Sequence, residues 1–214
     1  MMSARPVFRI RTRPRLRGAL IVAALAITTA QMGAQNPADR REYQKKAEFI
    51  TSFTRFIEWP ERKFLQPDSP FVIGVYGSDA ITTLLQEALQ ERQIKGRGVV
   101  VKHLVNKEEL RACHVLFVSR SERDRLGPIL GEVRRENVLT VGECENFLSK
   151  GGVINFLTIA GAVRFQISPD AAAREKLTIS SKLLQLSAPG SAALSSLSAE
   201  RVQIPDRMRP VSAR

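Results

Sequence analysis

Short apolar runs alternate with stretches of helical periodicity along this chain, and this alternation restricts its fold more than any other feature. Mostly apolar runs begin at Phe71, Val99, His114 and Val138, each with the pattern of a strand that is covered on both faces. Stretches of helical periodicity separate these runs. Because a helical connection between parallel strands makes a right-handed crossover, the pattern predicts a parallel sheet with helices on its faces.

The pattern changes after residue 150, where two strand-like runs flank a tight connection. Residues 153–159 and 163–167 are joined by Ala160-Gly161-Ala162, and the second run alternates apolar with polar side chains. This arrangement is typical of a β-hairpin. Antiparallel edge strands are common on parallel sheets. The predicted fold class is therefore α/β: a single three-layer α/β/α sandwich with a mostly parallel sheet and an antiparallel edge hairpin.

The helices are predicted from their apolar stripes and from proline. The first helix follows a polar stretch that ends at Gln44, and it ends at Trp59 because Pro60 disfavours helix for the residue before it. Its apolar stripe consists of Phe49, Ile50, Phe53, Phe56 and Ile57. Further helices are predicted at residues 81–89, 107–112, 122–135, 168–176 and 177–186.

The N-terminal segment has the composition of a bacterial export signal. Residues 1–34 contain six arginines and no acid, and the uncharged stretch from Gly18 to Ala34 has an apolar core that is too short to cross a bilayer comfortably. This pattern predicts a signal peptide over residues 1–34 that is cleaved after Ala30 or Ala34 and directs the chain to the periplasm. An uncleaved N-terminal anchor is the alternative.

The remaining charge does not indicate a nucleic-acid partner. The formal net charge is +12, but without the six N-terminal arginines 27 basic residues face 21 acids and are scattered among them. The predicted organisation after the signal peptide is a short polar linker over residues 35–44 and one folded domain over residues 45–187. Residues 188–214 are rich in serine, alanine, arginine and proline, and are predicted to form a disordered basic tail.

The folded region lacks a recognisable catalytic or metal-binding constellation. His103 and His114 are both predicted in or beside strands, so neither joins a serine and an aspartate in an obvious triad, and neither has metal-ligand spacing. Glu58 and Glu61 could serve as a general acid and base but are equally typical of solvated charges. We expect no enzyme activity, no cofactor and no metal; an unrecognised hydrolase is one of the alternatives.

Two groups of residues are candidates for binding. Ser78 and Asp79 follow the first predicted strand, where open α/β sheets bind ligands, although serine and aspartate also cap helices at such a position. The candidate partner-binding residues are Arg55, Glu58, Trp59, Arg164 and Lys182. Tryptophan and arginine are enriched in binding hot spots, but a role in filling the core is the favoured alternative for Trp59.

The two cysteines are not expected to bridge within one chain. Cys113 precedes one predicted strand and Cys144 follows the next, so in parallel neighbouring strands the two sulfurs lie at opposite ends. We expect free thiols, with Cys113 in the core and Cys144 as the better candidate for an intermolecular bond.

Several segments together resemble the YfiR-type family of periplasmic regulators. The segments that carry this resemblance are residues 47–49, 53–60, 113–117, 151–156, 163–167 and 179–184. The resemblance implies a periplasmic α/β sandwich that is usually dimeric and has no catalytic activity. In the founding member, the protein binds the periplasmic domain of an inner-membrane diguanylate cyclase and keeps it inactive, and an outer-membrane-tethered protein can sequester it.

The expected function follows from this resemblance. We expect a periplasmic negative regulator that binds the periplasmic domain of a membrane signalling protein, a diguanylate cyclase in the first instance, and so lowers cyclic-di-GMP. A homodimer and an outer-membrane sequestering partner are further expectations. The founding member has four cysteines and this chain has two, so redox control is not carried over. The alternative is a small-molecule sensor or binding protein for a membrane sensor kinase, using the crevice near Ser78.

Overall fold

The computed structural model describes residues 37–64, 66–78 and 80–188. The expected signal peptide over residues 1–34 lies outside the described residues, as does the expected tail beyond Ala188. Among the helices that are described, none is long and apolar enough to cross a membrane.

Among the residues that the structure describes, seven of nine strands form one sheet in the order β3-β4-β2-β5-β6-β7-β8, and β1 pairs with β9 separately. The strands are β1 (Ile57–Glu58), β2 (Phe71–Tyr76), β3 (Gln93–Ile94), β4 (Arg97–Leu104), β5 (Val115–Val118), β6 (Leu139–Gly142), β7 (Ile154–Ile159), β8 (Ala162–Ile167) and β9 (Thr178–Ile179). Strands β4, β2, β5, β6 and β7 are parallel to one another, and β8 is antiparallel to β7. The predicted α/β class with an antiparallel edge hairpin is confirmed.

The opposite edge of the sheet carries a second hairpin that the sequence analysis did not predict. β3 pairs antiparallel with β4 through a turn in which Lys95 and Gly96 both have positive φ, 53° and 75°. Ala160 and Gly161 have the same property in the β7–β8 turn, with φ of 49° and 77°. Two consecutive residues with positive φ are typical of the tight turns that match the twist of a hairpin.

Five α-helices lie within the described part of the chain. They are α1 (Pro37–Phe56), α2 (Thr82–Leu89), α3 (Leu126–Glu132), α4 (Pro169–Arg174) and α5 (Ser181–Leu186). Short 3₁₀ helices lie at Glu61–Lys63, Lys107–Ala112 and Arg120–Arg125. The predicted helix over residues 122–135 is therefore divided into a 3₁₀ turn and α3.

Three predicted boundaries are wrong for identifiable reasons. The helix α1 begins at Pro37, so residues 37–44, which we expected to be a linker, form its first turns. It ends at Phe56 rather than Trp59, because the next two residues form β1 and pair with β9. That pairing also takes residues 178–179 out of the predicted helix over residues 177–186, and the Ser180 hydroxyl caps α5 by accepting from the Leu183 N–H.

Side chains of the central strands enter two apolar clusters on the two faces of the sheet. On β5, Val115 and Phe117 belong to the cluster that includes the α1 stripe, whereas Leu116 and Val118 belong to the cluster that includes Leu126 of α3. This alternation follows from the two-residue period of a strand. Three residues of the predicted stripe, Ile50, Phe53 and Ile57, are at most 1% exposed, and the other two, Phe49 and Phe56, are partly buried and pack against the same cluster.

Two glycines make room for one aromatic ring. A Cβ atom placed on Gly142 would lie 2.4 Å from the Phe147 ring, and one placed on Gly152 would lie 2.2 Å from it. Phe147 is fully buried. The ring therefore packs directly against two stretches of backbone, and the close approach requires glycine at both positions.

His114 lies in the core between two phenylalanine rings. Its imidazole stacks on Phe64 at 4.6 Å and on Phe71 at 4.7 Å between ring centroids, and its Nδ1 accepts the backbone N–H of Val72 at 3.0 Å. Burial, assisted by the positive charges of Lys63 and Arg97, lowers the pKa of His114 to about 4. The imidazole is therefore neutral throughout the physiological range.

We predict that Gly152→Ala lowers the free energy of unfolding by about 1–3 kcal/mol, because the added methyl group overlaps the Phe147 ring. Urea unfolding followed by circular dichroism measures this change. Gly98→Ala is the matched control, because a Cβ at Gly98 meets no atom within 4 Å. Equal stability of the Gly152→Ala protein and the unsubstituted protein would contradict the packing described here.

We also predict that the free energy of unfolding decreases as the pH is lowered from 6.5 to 4, and that this decrease depends on His114. In the unfolded chain this histidine takes up a proton below about pH 6.5, whereas in the folded chain it does so only near pH 4. Protons therefore stabilise the unfolded state over this interval, by up to about 3 kcal/mol. His114→Asn, which keeps an acceptor for the Val72 N–H, is expected to be less stable at pH 7 but to lack this part of the pH dependence in urea unfolding.

Candidate functional site

The C-terminal end of α1 and the helix α5 together form an exposed surface with mixed charge. The Ser180 N–H donates to the Phe56 carbonyl at 2.9 Å, and the Lys182 ammonium lies 5.9 Å from the centroid of the Phe56 ring. Arg55, Glu58 and Lys182 are exposed. Three of the predicted partner-binding residues therefore lie around one helix end, which we name the α1–α5 surface.

An exposed leucine extends the α1–α5 surface along α5. Leu186 is 61% exposed and stands four residues after Lys182, so the two side chains share one face of the helix. The preceding turn contributes Leu183 to the core instead. An apolar side chain beside a cation suits an interface in which apolar area is buried within a polar rim.

Arg164 does not belong to this surface. Its neighbours on β8, Val163 and Phe165, are buried in the cluster shared with α1. Side chains alternate along a strand, so the exposed Arg164 is directed to the opposite face of the sheet from α1. If Arg164 contacts a partner, it does so at a second, separate patch.

The assignment of Trp59 as a partner-binding residue is wrong. Trp59 is 8% exposed, its Nε1–H donates to the His114 carbonyl at 3.0 Å, and its ring meets the edge of Phe71 at 5.0 Å between centroids. A partner could reach this indole only by displacing core residues. The alternative that we considered, a core role, is what the structure shows.

The predicted ligand crevice at the carboxyl ends of the strands is only partly described. Ser78 is exposed, and its backbone N–H donates to the Ser121 hydroxyl at 3.0 Å, which ties the loop after β2 to the loop after β5. Asp79 lies outside the described residues. A Cβ placed on Gly77 would lie 2.6 Å from the same Ser121 oxygen, so the two loops are in direct contact at this point.

A cavity of about 510 Å³ opens one strand further along the same edge. Its lining includes Arg120, Arg123, Glu143, Cys144 and Lys150. Positive and negative side chains alternate around it, so its lining does not select one sign of ligand charge.

Beneath this cavity lies a buried ion pair that the sequence analysis did not identify. Lys46 of α1 is 2% exposed and donates to Glu143, which follows β6 and is 5% exposed. The Glu143 carboxylate also accepts the Tyr43 hydroxyl at 3.1 Å and the Arg120 backbone N–H at 3.0 Å. Burial, followed by the Glu143 charge, raises the pKa of Tyr43. The network joins the start of α1 to the carboxyl edge of the sheet.

The cysteines are both buried free thiols. Cys113 precedes β5 and Cys144 follows β6, which are parallel neighbours, so the two residues lie at opposite ends of the strands. The expectation that Cys144 is available for an intermolecular bond is wrong, because it is 3% exposed and its thiol lies 3.8 Å from the Ser119 carbonyl oxygen. Burial raises the pKa of both thiols, that of Cys113 to about 11.

Within residues 37–64, 66–78 and 80–188, no group of three or more histidine, cysteine, aspartate or glutamate side chains is arranged to hold a metal ion. The described candidates are thus one mixed-charge surface at the C-terminal end of α1, one isolated arginine and one cavity at the carboxyl edge.

Comparison with known proteins identifies one family. A family model described as YfiR/HmsC-like matches residues 43–188, which is more than half of the chain. No curated protein matches the chain.

Two solved structures resemble the chain at low identity. One is a conserved domain protein from Vibrio cholerae O1 biovar El Tor, with 11% identity, a TM-score of 0.44, and coverage of 68% of this chain and 58% of the other. The second is the ABC domain in complex with L-Trp from Streptococcus pneumonia, with 10% identity, a TM-score of 0.46, and coverage of 68% and 59%. This chain spans less than two thirds of the length of each of them.

We predict that Lys46→Met lowers the free energy of unfolding by about 3–5 kcal/mol, because the Glu143 charge is left buried without its partner. Urea unfolding at pH 7 measures the loss. Adding Glu143→Gln to this variant removes the unpaired charge and is expected to recover part of the stability.

The control for this prediction is the neighbouring exposed pair. Lys45 and Glu48 form an ion pair on the outer face of α1, with side chains 57% and 52% exposed. Lys45→Met is expected to change stability by less than about 1 kcal/mol. A similar effect of the two substitutions would mean that Lys46 does not neutralise a buried charge.

Proposed function

Because the chain belongs to the YfiR/HmsC-like family of periplasmic regulators of the cyclic-di-GMP pathway, we propose that it is a negative regulator of a membrane signalling protein. It binds the periplasmic domain of that protein, which we propose to be a diguanylate cyclase, and holds it in its inactive state. Cyclic-di-GMP then falls. The family match over residues 43–188 is the observation that carries this proposal.

Inhibition of this kind requires binding but no catalysis. A regulator shifts a partner only by the difference between its affinities for the partner's two states. To keep about 99% of an otherwise half-active cyclase inactive, it must bind the inactive state roughly 100-fold more tightly, which corresponds to about 2.7 kcal/mol. A few well-placed contacts on a preformed surface supply a free-energy difference of this size.

We propose the α1–α5 surface as the docking site. It presents two exposed cations, Arg55 and Lys182, and the exposed Leu186 on the same helix as Lys182, so it fits a partner patch that combines acidic and apolar side chains. Glu58 on β1 adds one negative charge at its margin. Arg164, on the other face of the sheet, is a separate candidate for a second contact or for a contact between two copies of the chain.

The first experiment measures cellular cyclic-di-GMP after deletion of the gene in its own host. We expect the level to rise and to return to normal when the gene is restored. An unchanged level would overturn the proposed action on a cyclase and would favour an output through a sensor kinase.

The second experiment restores the deleted strain with charge-reversed variants. Arg55→Glu with Lys182→Glu is expected to leave cyclic-di-GMP high, because two cations of the docking surface become acids, although the protein remains folded by circular dichroism. Arg123→Glu at the carboxyl edge is the matched control, since its side chain is 69% exposed and lies away from α5. If both proteins restore the normal level, the α1–α5 surface is not the docking site. Arg164→Glu, tested alone, reports on the second patch.

A further inference from the structure

A cavity of about 540 Å³ lies at the amino edge of the sheet, opposite the edge where the sequence analysis placed a ligand crevice. It is bounded by residues that precede β2, β5 and β6 and by the 3₁₀ turn after Pro60. Arg62, Lys63, Val72, His114 and Arg135 are among its lining residues. Its volume falls in the range of about 300–1,000 Å³ that small-molecule sites occupy.

Lys63 is a partly buried cation in this cavity, and no carboxylate among the described residues accepts a hydrogen bond from it. Its ammonium donates to the carbonyl oxygens of Arg111 at 2.7 Å and Glu136 at 2.9 Å. Two of its three protons are thus placed on backbone oxygens, and one remains for another acceptor. Burial lowers the pKa of Lys63. A cation withdrawn from water in this way is stabilised by any anion that enters the cavity.

The other charges around Lys63 leave the cavity with a positive excess. Arg62 is positioned by its Nε–H, which donates to the Asn137 side-chain oxygen at 3.1 Å, and Arg135 adds a further guanidinium. The Glu175 carboxylate accepts the backbone N–H groups of Arg135 and Asn137 with its two oxygens, and its negative charge also acts on Lys63.

Two further charged residues complete the lining. Arg111 is already paired with Glu132 at 2.6 Å. Glu136 is the acidic member of the described lining. The three positive charges of Arg62, Lys63 and Arg135 exceed the two negative charges of Glu136 and Glu175, so the cavity favours a ligand with negative charge.

His114 contributes a donor without a partner. Because its Nδ1 accepts the Val72 N–H, the neutral ring carries its proton on Nε2. This Nε2 is buried and, among the described residues, has no hydrogen-bond partner, and the residue is 4% exposed. An unsatisfied buried donor costs about 1–3 kcal/mol. The rings of Phe64 and Phe71 hold the imidazole in place, so its orientation is fixed before any ligand arrives.

We propose that this cavity binds a small organic carboxylate, with Lys63 and Arg62 as donors to the carboxylate and with the Nε2–H of His114 in its wall as a third donor, which the carboxylate reaches when the side chains that cover Nε2 move aside. The apolar part of the ligand lies against Pro70, Val72 and Ala112, which complete the wall. The site is separate from the α1–α5 surface, and binding to it can be measured on the purified chain without any protein partner.

A second basic cavity supplies the comparison. Arg134, Lys150 and Arg174 line a smaller space of about 280 Å³ beside α3. Its described lining includes Thr140, whose hydroxyl is occupied by the Val153 N–H, but no buried polar atom without a partner. Both cavities are thus lined by cations, and of the two the amino-edge cavity is the one whose described lining has an unsatisfied buried donor.

The test titrates the purified chain with benzoate and follows binding by calorimetry and by the fluorescence of Trp59. This residue is the single tryptophan of the sequence, and its indole donates to the His114 carbonyl, so its emission reports on the amino-edge cavity. We expect saturable binding of benzoate, and binding of the neutral isostere benzamide at least about tenfold weaker, since it lacks the charge. Equal binding of the two compounds, or no saturable binding of benzoate up to 10 mM, a concentration chosen as roughly the limit of weak specific binding, would overturn the proposal.

Two variants test named donors, and a third, at Arg135, tests the positive charge around them. Arg62→Gln and His114→Asn are each expected to weaken benzoate binding by about tenfold, the loss typical of one charge-assisted hydrogen bond. Arg135→Gln is at an exposed position and leaves the core intact. It is also expected to weaken benzoate binding, so the proposal can be tested even if His114→Asn fails to fold. The matched control is Arg134→Gln, one residue away but in the lining of the other cavity, which is expected to bind benzoate as the unsubstituted chain does. Equal weakening by Arg134→Gln and Arg135→Gln would show nonspecific attraction and would refute the site.

Discussion

The aromatic contact between α1 and the β7–β8 hairpin holds the two ends of the structure in place. The rings of Phe49 and Phe53 lie 4.9–6.1 Å from those of Phe156 and Phe165, between centroids. A helix of 20 residues is about 30 Å long, so once this contact fixes α1 on the sheet, its two ends reach opposite edges. Near its beginning, Lys46 contacts Glu143 at the carboxyl edge. Its other end leads into the α1–α5 surface and into Trp59, whose side chain lies at the amino edge. The binding candidates near the amino edge thus depend on packing in the middle of the helix.

The segments that resemble the family are largely explained by packing. Gly152 leaves room for Phe147, Trp59 fills the core against Phe71, and the segment that contains Ser180 caps α5. These segments therefore identify the fold with confidence but say little about which surface meets a partner. In a protein that acts by contact, the residues that choose the partner are exposed and are not required by the fold. Arg55, Glu58 and Lys182 lie within these segments but are exposed, so packing does not explain them.

The sequence was informative where one local pattern determined the structure, and less so where distant residues meet. The apolar runs placed the strands of the parallel sheet within about two residues, because a strand covered on both faces needs a continuous apolar run. The pairing of β1 with β9 joins residues 57–58 to residues 178–179 and leaves no local signal in either two-residue segment. The Lys46–Glu143 pair spans 97 residues, although the position of Lys46 in the α1 stripe, between Tyr43 and Ile50, could have indicated a buried cation. The donor on His114 was not predictable, because it depends on which ring nitrogen the Val72 N–H occupies.

The pairing of β1 with β9 has a consequence for how the chain acquires its structure. Segments from near the beginning and near the end of the fold are neighbours, and α1 finds its aromatic partners only on β7 and β8. During synthesis the N-terminal end leaves the ribosome first, so α1 waits with an uncovered apolar stripe until residues 154–167 have followed. Such a chain completes its fold late, after most of the folded region has been made, and remains incompletely folded until then.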